Sequence, residues 1–344
     1  MIHFECDYTE GCHSSILKKL IETNEEQTCG YGLDGHCEHA RALICDLCEA
    51  PDADVHFLVG GTQTNTTVIA SILRPHQGVL CAGTGHINVH ETGAIEATGH
   101  KVLPLPSQNG KITASQIQAA YDEHWNDSDH EHIVQPGMVY VSQSTENGTI
   151  YSKAELTCLH ETCQRCGLPL FLDGARLGYA MESPENDLHM SDLANLCDVF
   201  YIGGTKVGAL FGEAVVITNP DLKQDFRYLL KQHGGMLAKG RLLGIQFETL
   251  LEGGSDSLYF QISKHAVDLA LQLKASLLEK GYKLYYDSFT NQQYPILSNE
   301  VMERLSKEFS FSTWCKVDEG HTAVRFCTSW ATRPEAVEKL LDTL

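Results

Sequence analysis

Four stretches of the 344-residue chain combine residue types whose chemistry goes beyond packing. In Asp198-Val199-Phe200-Tyr201-Ile202-Gly203-Gly204-Thr205-Lys206, an apolar strand pattern delivers a Gly-Gly turn, a hydroxyl and then a lysine. An amine that forms Schiff bases works best partly desolvated, where its neutral form is accessible, and the end of a buried strand offers that setting. Upstream by 33 residues, Leu170-Phe171-Leu172-Asp173-Gly174-Ala175-Arg176 ends another strand in an aspartate. A carboxylate so placed can keep a ring nitrogen protonated, which lets the ring accept electrons. Gly60-Gly61-Thr62-Gln63-Thr64-Asn65 sets small residues and hydroxyls ahead of a helix, where free backbone N–H groups can bind a phosphate. His86, in Gly83-Thr84-Gly85-His86-Ile87-Asn88-Val89-His90-Glu91, follows a strand directly and offers a flat ring that stacks or moves a proton.

Each stretch alone has a plainer reading: an exposed loop lysine, an Asp-Gly turn, a capped strand-to-helix turn, one histidine among seventeen. The order strand-Asp then strand-Lys is much rarer by chance than either piece. A lysine, a ring-facing carboxylate and a phosphate cradle together describe a site for pyridoxal 5′-phosphate. The glycine loop lacks the Gly-Lys-Ser/Thr of a Walker loop and the spacing of a dinucleotide fingerprint.

These groups need a scaffold that brings strand ends together. Short apolar runs alternate with longer helical patterns, which predicts an α/β fold with a mainly parallel sheet. Strands are expected at Val55 to Val59, Val79 to Ala82, Met138 to Ser142, Leu170 to Leu172, Val199 to Ile202 and Ala214 to Ile217, with a helix from Gln63 to Leu73. Glu252-Gly253-Gly254-Ser255-Asp256 marks the expected boundary between a large domain, 1–254, and a small C-terminal α+β domain, 255–344. A long helix follows it, with Ile262, Ala266, Leu269, Ala270, Leu273 and Leu277 on one face, and Gly281 stops it.

A formal charge of −20 disfavours nucleic acid and anionic membranes as partners. No run reaches the length of a membrane span, and the first residues read as mature chain rather than signal peptide. Thirteen scattered cysteines then suit a reducing, cytosolic setting. The CxxC pairs Cys45/Cys48 and Cys163/Cys166 fall at i, i+3 in helical patterns, and they read as thiols on or under a helix face, as does Cys37 in His36-Cys37-Glu38-His39. No metal site is expected.

Taken in order, the four stretches resemble the threonine aldolase and β-eliminating lyase family, nearest to the low-specificity L-threonine aldolases. Gly30-Tyr31-Gly32-Leu33-Asp34 and Val324-Arg325 extend the likeness, which runs from Asp7 to about Trp330. The resemblance implies the aspartate aminotransferase superfamily fold (fold type I), with Lys206 forming the Schiff base and Asp173 against the pyridine nitrogen. It places Gly61 and Thr62 on the phosphate, Thr205 and Arg176 beside the cofactor, and His86 on the ring. Arg176 and Arg325 would bind the substrate carboxylate, with Cys6 on the substrate side where many relatives have serine. Tyr31 would reach a neighbouring subunit's site, as would basic residues near Lys239 and Arg241, which implies a homodimer or homotetramer. The chain departs from many relatives in Gln143-Ser144-Thr145-Glu146-Asn147-Gly148, where a histidine near the substrate hydroxyl is absent. His86 and Glu146 are then the candidate bases.

The reaction so implied is retro-aldol cleavage of a β-hydroxy-α-amino acid, threonine or allo-threonine giving glycine and acetaldehyde. β-Elimination is the nearest rival. A cysteine desulfurase reaction would need a dedicated nucleophilic thiol, and a protein that binds the cofactor without catalysis would have little use for the lysine, the aspartate and both arginines together.

Overall fold

The computed structural model describes residues 1–344. Its centre is a seven-stranded sheet in the order Asp54–Leu58, Glu213–Ile217, Val199–Gly203, Leu170–Asp173, Gln135–Ser142, Gln77–Ala82 and Lys101–Leu105. Neighbours from Val199–Gly203 to Lys101–Leu105 pair in parallel, and only Glu213–Ile217 runs against the rest. This is the α/β, mainly parallel architecture that the alternating pattern predicts.

Period-two alternation divides the core between the two faces of this sheet. Val139, Val141, Leu170, Leu172, Phe200 and Ile202 point one way, towards the helices that include Gly35–Leu47 and Arg241–Leu251. Met138, Tyr140, Phe171, Val199 and Tyr201 point the other, towards Gly61–Ile72. Covered on both sides, the strands read as continuous apolar runs.

One strand escaped the sequence reading. Lys101–Leu105 lies at the sheet edge, is half-exposed and carries Pro104. Proline survives there because an edge strand has one side with no ladder bond to make. The Gly61–Ile72 helix also starts two residues earlier than expected, at the second glycine itself.

The C-terminal layer packs on the 22-residue helix Leu258–Glu279. Leu269, Leu273 and Leu277 of that helix meet Leu297, Leu305, Phe309, Val324, Phe326, Val337 and Leu340. Its sheet joins Ile296–Ser298, His321–Cys327 and Ser312–Lys316 in antiparallel pairing. The chain's first residues belong here as well: Ile2–His3 pairs in parallel with Phe309–Ser310, and Phe4 enters the same apolar cluster. That pairing carries the next residues, Glu5 to Asp7, to the seam between the layers.

Candidate active site

The C-terminal ends of the parallel strands form a cleft lined by Gly61, His86, Glu146, Asp173, Arg176 and Lys206. Strand ends collect such groups because loops there leave the sheet on both faces.

Asp173 is the most completely held of them. Alternation puts it on the same face as Phe171, and the register sets Ser142 beside it. Tyr140 and Tyr201 share that face and reach it from the two flanking strands. Tyr140 Oη donates to Oδ2 at 2.6 Å, and Tyr201 Oη donates to Oδ1. Asn65 Nδ2 adds a bond to Oδ2 at 3.1 Å, and the Ala175 N–H one to Oδ1 at 3.0 Å. Burial alone would raise this carboxyl, but the His86 charge and the two phenols outweigh it and hold Asp173 below its usual range.

His86 begins a short helix after the Gln77–Ala82 strand. Its Nδ1 lies 2.7 Å from Glu91 Oε1, which also accepts from Asn65 Nδ2 at 2.7 Å. Glu91 is buried and its carboxylate can only accept, so the proton of this contact sits on Nδ1. Asn65 thereby links the His86–Glu91 pair to Asp173.

Glu146 follows the Gln135–Ser142 strand and is buried. Its Oε1 accepts from the His86 N–H at 2.9 Å and from Ser142 Oγ at 2.8 Å, which leaves Oε2 free. Burial raises this carboxyl above the ordinary value, and nearby Asp173 adds to the rise.

Lys206 lines the cleft half-exposed, and its Nζ has no carboxylate within ion-pair distance. Desolvation and the Arg176 charge lower its pKa against the pull of Asp7, Asp173 and Glu213. Thr205, expected beside the cofactor, already uses its hydroxyl. Oγ1 donates to Glu213 Oε1 at 2.8 Å and accepts from the Gly212 N–H at 3.0 Å, so no proton remains for a phosphate oxygen.

The two arginines are tied to one tripeptide. Arg176 donates from Nε to Asp7 Oδ2 and from Nη2 to Asp7 Oδ1, while Arg325 Nη2 donates to the Glu5 carbonyl at 2.9 Å. Cys6 sits between these anchors, half-buried. Arg325 lies inside the His321–Cys327 strand rather than at its end, has no carboxylate partner, and leaves its buried Nε unbonded. Arg176 and Lys206 line the cleft together, and Arg325 is not among the residues that line it.

Tyr31 stands outside it. The side chain is 46 % exposed, with Lys231 Nζ 4.9 Å from its ring, and it does not line its own chain's cleft. Thr62 is exposed at the start of the Gly61–Ile72 helix. The cysteine pairs are packing residues: burial pushes Cys48 and Cys163 up to about 12, far from thiolate chemistry at neutral pH.

Glu213, Glu91, Asn65, Tyr140 and Tyr201 were not singled out in the sequence. Glu213 carried a signal, a charge opening the apolar run Ala214-Val215-Val216-Ile217. The two tyrosines carried none until the strand register was known.

The arrangement fits pyridoxal phosphate. A caged anionic carboxylate would meet the pyridine nitrogen, an unpartnered lysine amine the aldehyde carbon, and the N–H groups at the start of Gly61–Ile72 the phosphate.

Comparison with known proteins agrees with this chemistry. The beta-eliminating lyase family matches residues 7–288. A low specificity L-threonine aldolase from Pseudomonas sp. (strain NCIMB 10558) is 30 % identical, with 98 % of this chain and 95 % of that protein covered. The solved threonine aldolase of Leishmania major is 46 % identical, with a TM-score of 0.96 over 99 % of this chain and 98 % of that one. A histidinol-phosphate aminotransferase from Clostridium acetobutylicum, 12 % identical with a TM-score of 0.74 over 100 % of this chain and 98 % of its own, shares the fold alone. The chain therefore belongs to the beta-eliminating lyase family, on the fold-type-I scaffold of pyridoxal-phosphate enzymes.

Proposed function

We propose that the protein is a pyridoxal-phosphate-dependent aldehyde-lyase that cleaves the Cα–Cβ bond of L-threonine or L-allo-threonine, giving glycine and acetaldehyde. The observation that carries this reading is the free Oε2 of Glu146 in the cleft that also holds Lys206 and Asp173. A retro-aldol step needs a base near a β-hydroxyl, and β-elimination needs none there. The names of the relatives from Pseudomonas and Leishmania point the same way.

When bound, the cofactor supplies a ring that accepts the electron pair of the broken bond. Lys206 would hold it through its amine. Arg176 and Arg325 would grip the substrate carboxylate and so fix the orientation of the Cα–Cβ bond. Glu146 Oε2 takes the β-hydroxyl proton, directly or through a water, as the bond breaks and the aldehyde leaves. A proton delivered to Cα completes glycine. His86, its Nδ1 held by Glu91, would stack on the ring, and Asp173 would keep the ring nitrogen protonated. Asp173 has four donors already, so a fifth at the ring nitrogen requires one of them, with Asn65 at 3.1 Å the longest, to yield.

The assembly in this reading is a homodimer or homotetramer with shared sites, supported by the exposure of Tyr31 away from its own cleft. A cytosolic setting is supported by thirteen cysteines, none of them paired. An amino-acid panel with mass identification of products tests the function. Glycine and acetaldehyde from threonine are expected; pyruvate and ammonia, or 2-oxobutyrate, would overturn it.

A further inference from the structure

Glu213 has no place in the steps above, yet it is among the most confined carboxyl groups in the protein, 3 % exposed. It opens the Glu213–Ile217 strand directly opposite Gly203. Its Oε2 accepts from the Gly204 N–H at 3.1 Å and its Oε1 from Thr205 Oγ1 at 2.8 Å. Thr205 Oγ1 in turn accepts from the Gly212 N–H, and the N–H groups of Gly204 and Thr205 both reach the Gly212 carbonyl. One side chain thus closes the turn on both residues that immediately precede Lys206. Packing adds to this closure: a Cβ on Gly204 would meet the Gly212 oxygen at 2.8 Å and the Phe247 ring at 3.0 Å.

A buried carboxylate is costly, and two neutral donors offset only part of that cost. An amide or a hydroxyl could accept the same bonds with less penalty. What a carboxyl group adds is charge, and the basic group whose charge acts on it is Lys206. We propose that Glu213 is a positioning residue for Lys206, its carboxyl group fixing the turn that presents the amine and, when ionised, setting a negative charge beside that turn. This rests on the reading of Lys206 as the lysine that holds the cofactor.

Four groups act electrostatically on Glu213 or feel it: Lys206 after the turn, Tyr201 on the adjacent strand, Asp173 one strand further on, and Tyr259 on the long helix. Burial pushes Glu213 up to about 8, against the Thr205 hydrogen bond and the Lys206 charge. The carboxyl group therefore gains its charge as pH rises from neutral to mildly alkaline. The sign follows. Negative charge at Glu213 favours the protonated nitrogen, so removing it lets that proton leave at lower pH.

The test compares wild type, Glu213→Gln and Glu213→Asp as holoenzymes. The absorbance of the lysine-bound cofactor is titrated from acid to alkaline pH, and the rate at which apoenzyme captures pyridoxal phosphate is followed separately. Glu213→Gln is expected to move the spectral midpoint down by roughly one pH unit. It should also slow capture on the order of tenfold, through loss of amine placement. Glu213→Asp, which keeps the charge, should restore most of the midpoint. A folded Glu213→Gln protein with an unmoved midpoint overturns the proposal; if that variant does not fold, an aspartate variant whose midpoint falls by the full unit does so. Borohydride reduction of wild type with peptide mapping separates the two readings. An adduct on another lysine removes the assignment of Lys206, whereas an adduct on Lys206 with an unmoved midpoint removes only the role of Glu213.

Discussion

Arg176 and Asp7 form a two-point ion pair, Nε to Oδ2 at 2.7 Å and Nη2 to Oδ1 at 2.9 Å, with both side chains buried. The pair joins the N-terminal segment to the loop after the Leu170–Asp173 strand, and Asn291 adds a third donor to Asp7 at 2.9 Å. A substrate carboxylate would therefore meet a guanidinium already held in place, with its Nη1 uncommitted to Asp7.

Asp7→Asn is expected to destabilise the protein by roughly 3–5 kcal/mol, because it leaves a buried cation without its counter-ion. The Michaelis constant for threonine should rise with it. Burial raises Asp7, but Arg176 and Lys206 more than compensate, bringing it from 3.8 down to about 2. A depressed carboxyl stabilises the fold above its unfolded pKa and loses that contribution as pH falls through the folded one. About 2 kcal/mol should thus disappear between about pH 4 and pH 2, and be absent from the same titration of Asp7→Asn. Denaturant melts across that range measure both.

Arg325 differs in having no carboxylate to lose. Arg325→Leu should leave the melting temperature nearly unchanged and raise the Michaelis constant roughly 10- to 100-fold, the equivalent of one charge-assisted bond. Steady-state kinetics beside a thermal melt decides the matter. A collapse in stability with normal kinetics in the surviving protein would mark the residue as structural.

Glu146→Gln should cut threonine cleavage by about 10²- to 10⁴-fold while leaving cofactor binding and α-proton exchange of glycine intact, since neither needs a base at a β-hydroxyl. The base acts ionised, and burial raises its pKa, so cleavage by wild type should rise with pH along a limb above the ordinary carboxylate range. That limb should vanish in the variant. Parallel loss of all three activities, or of none, returns the role to His86.

Asp173→Asn should lower turnover on the order of 10³-fold, yet still let borohydride fix the cofactor to Lys206. The amide would also turn two N–H donors towards Tyr140, Tyr201 and Asn65, which are donors themselves. Tyr201→Phe and Tyr140→Phe should each cause a smaller loss, because three of the four bonds to Asp173 survive. Single-turnover rates on the three variants give the ranking.

What the sequence alone determined was local. The strand-Asp, strand-Lys and glycine-turn segments each carry their chemistry within a few residues, and alternating apolar residues set which side chains enter the core. The strand ends that bring Lys206, Asp173 and His86 to one cleft were legible for that reason, as was the α/β sheet. Tertiary structure decided the partners. Tyr140 and Tyr201 share Asp173 only because three strands align in one register, and register depends on pairings between segments far apart in the chain. Asn65 reaches Glu91 and Asp173, 26 and 108 residues away, through contacts that no spacing foretells. The pairing of Ile2–His3 with Phe309–Ser310 is the longest-range of these, and it places Asp7 against Arg176 and Glu5 against Arg325. A hydrogen bond between distant residues leaves no periodic mark in a sequence, because it needs only one suitable atom at each end and a fold that brings them within about 3 Å.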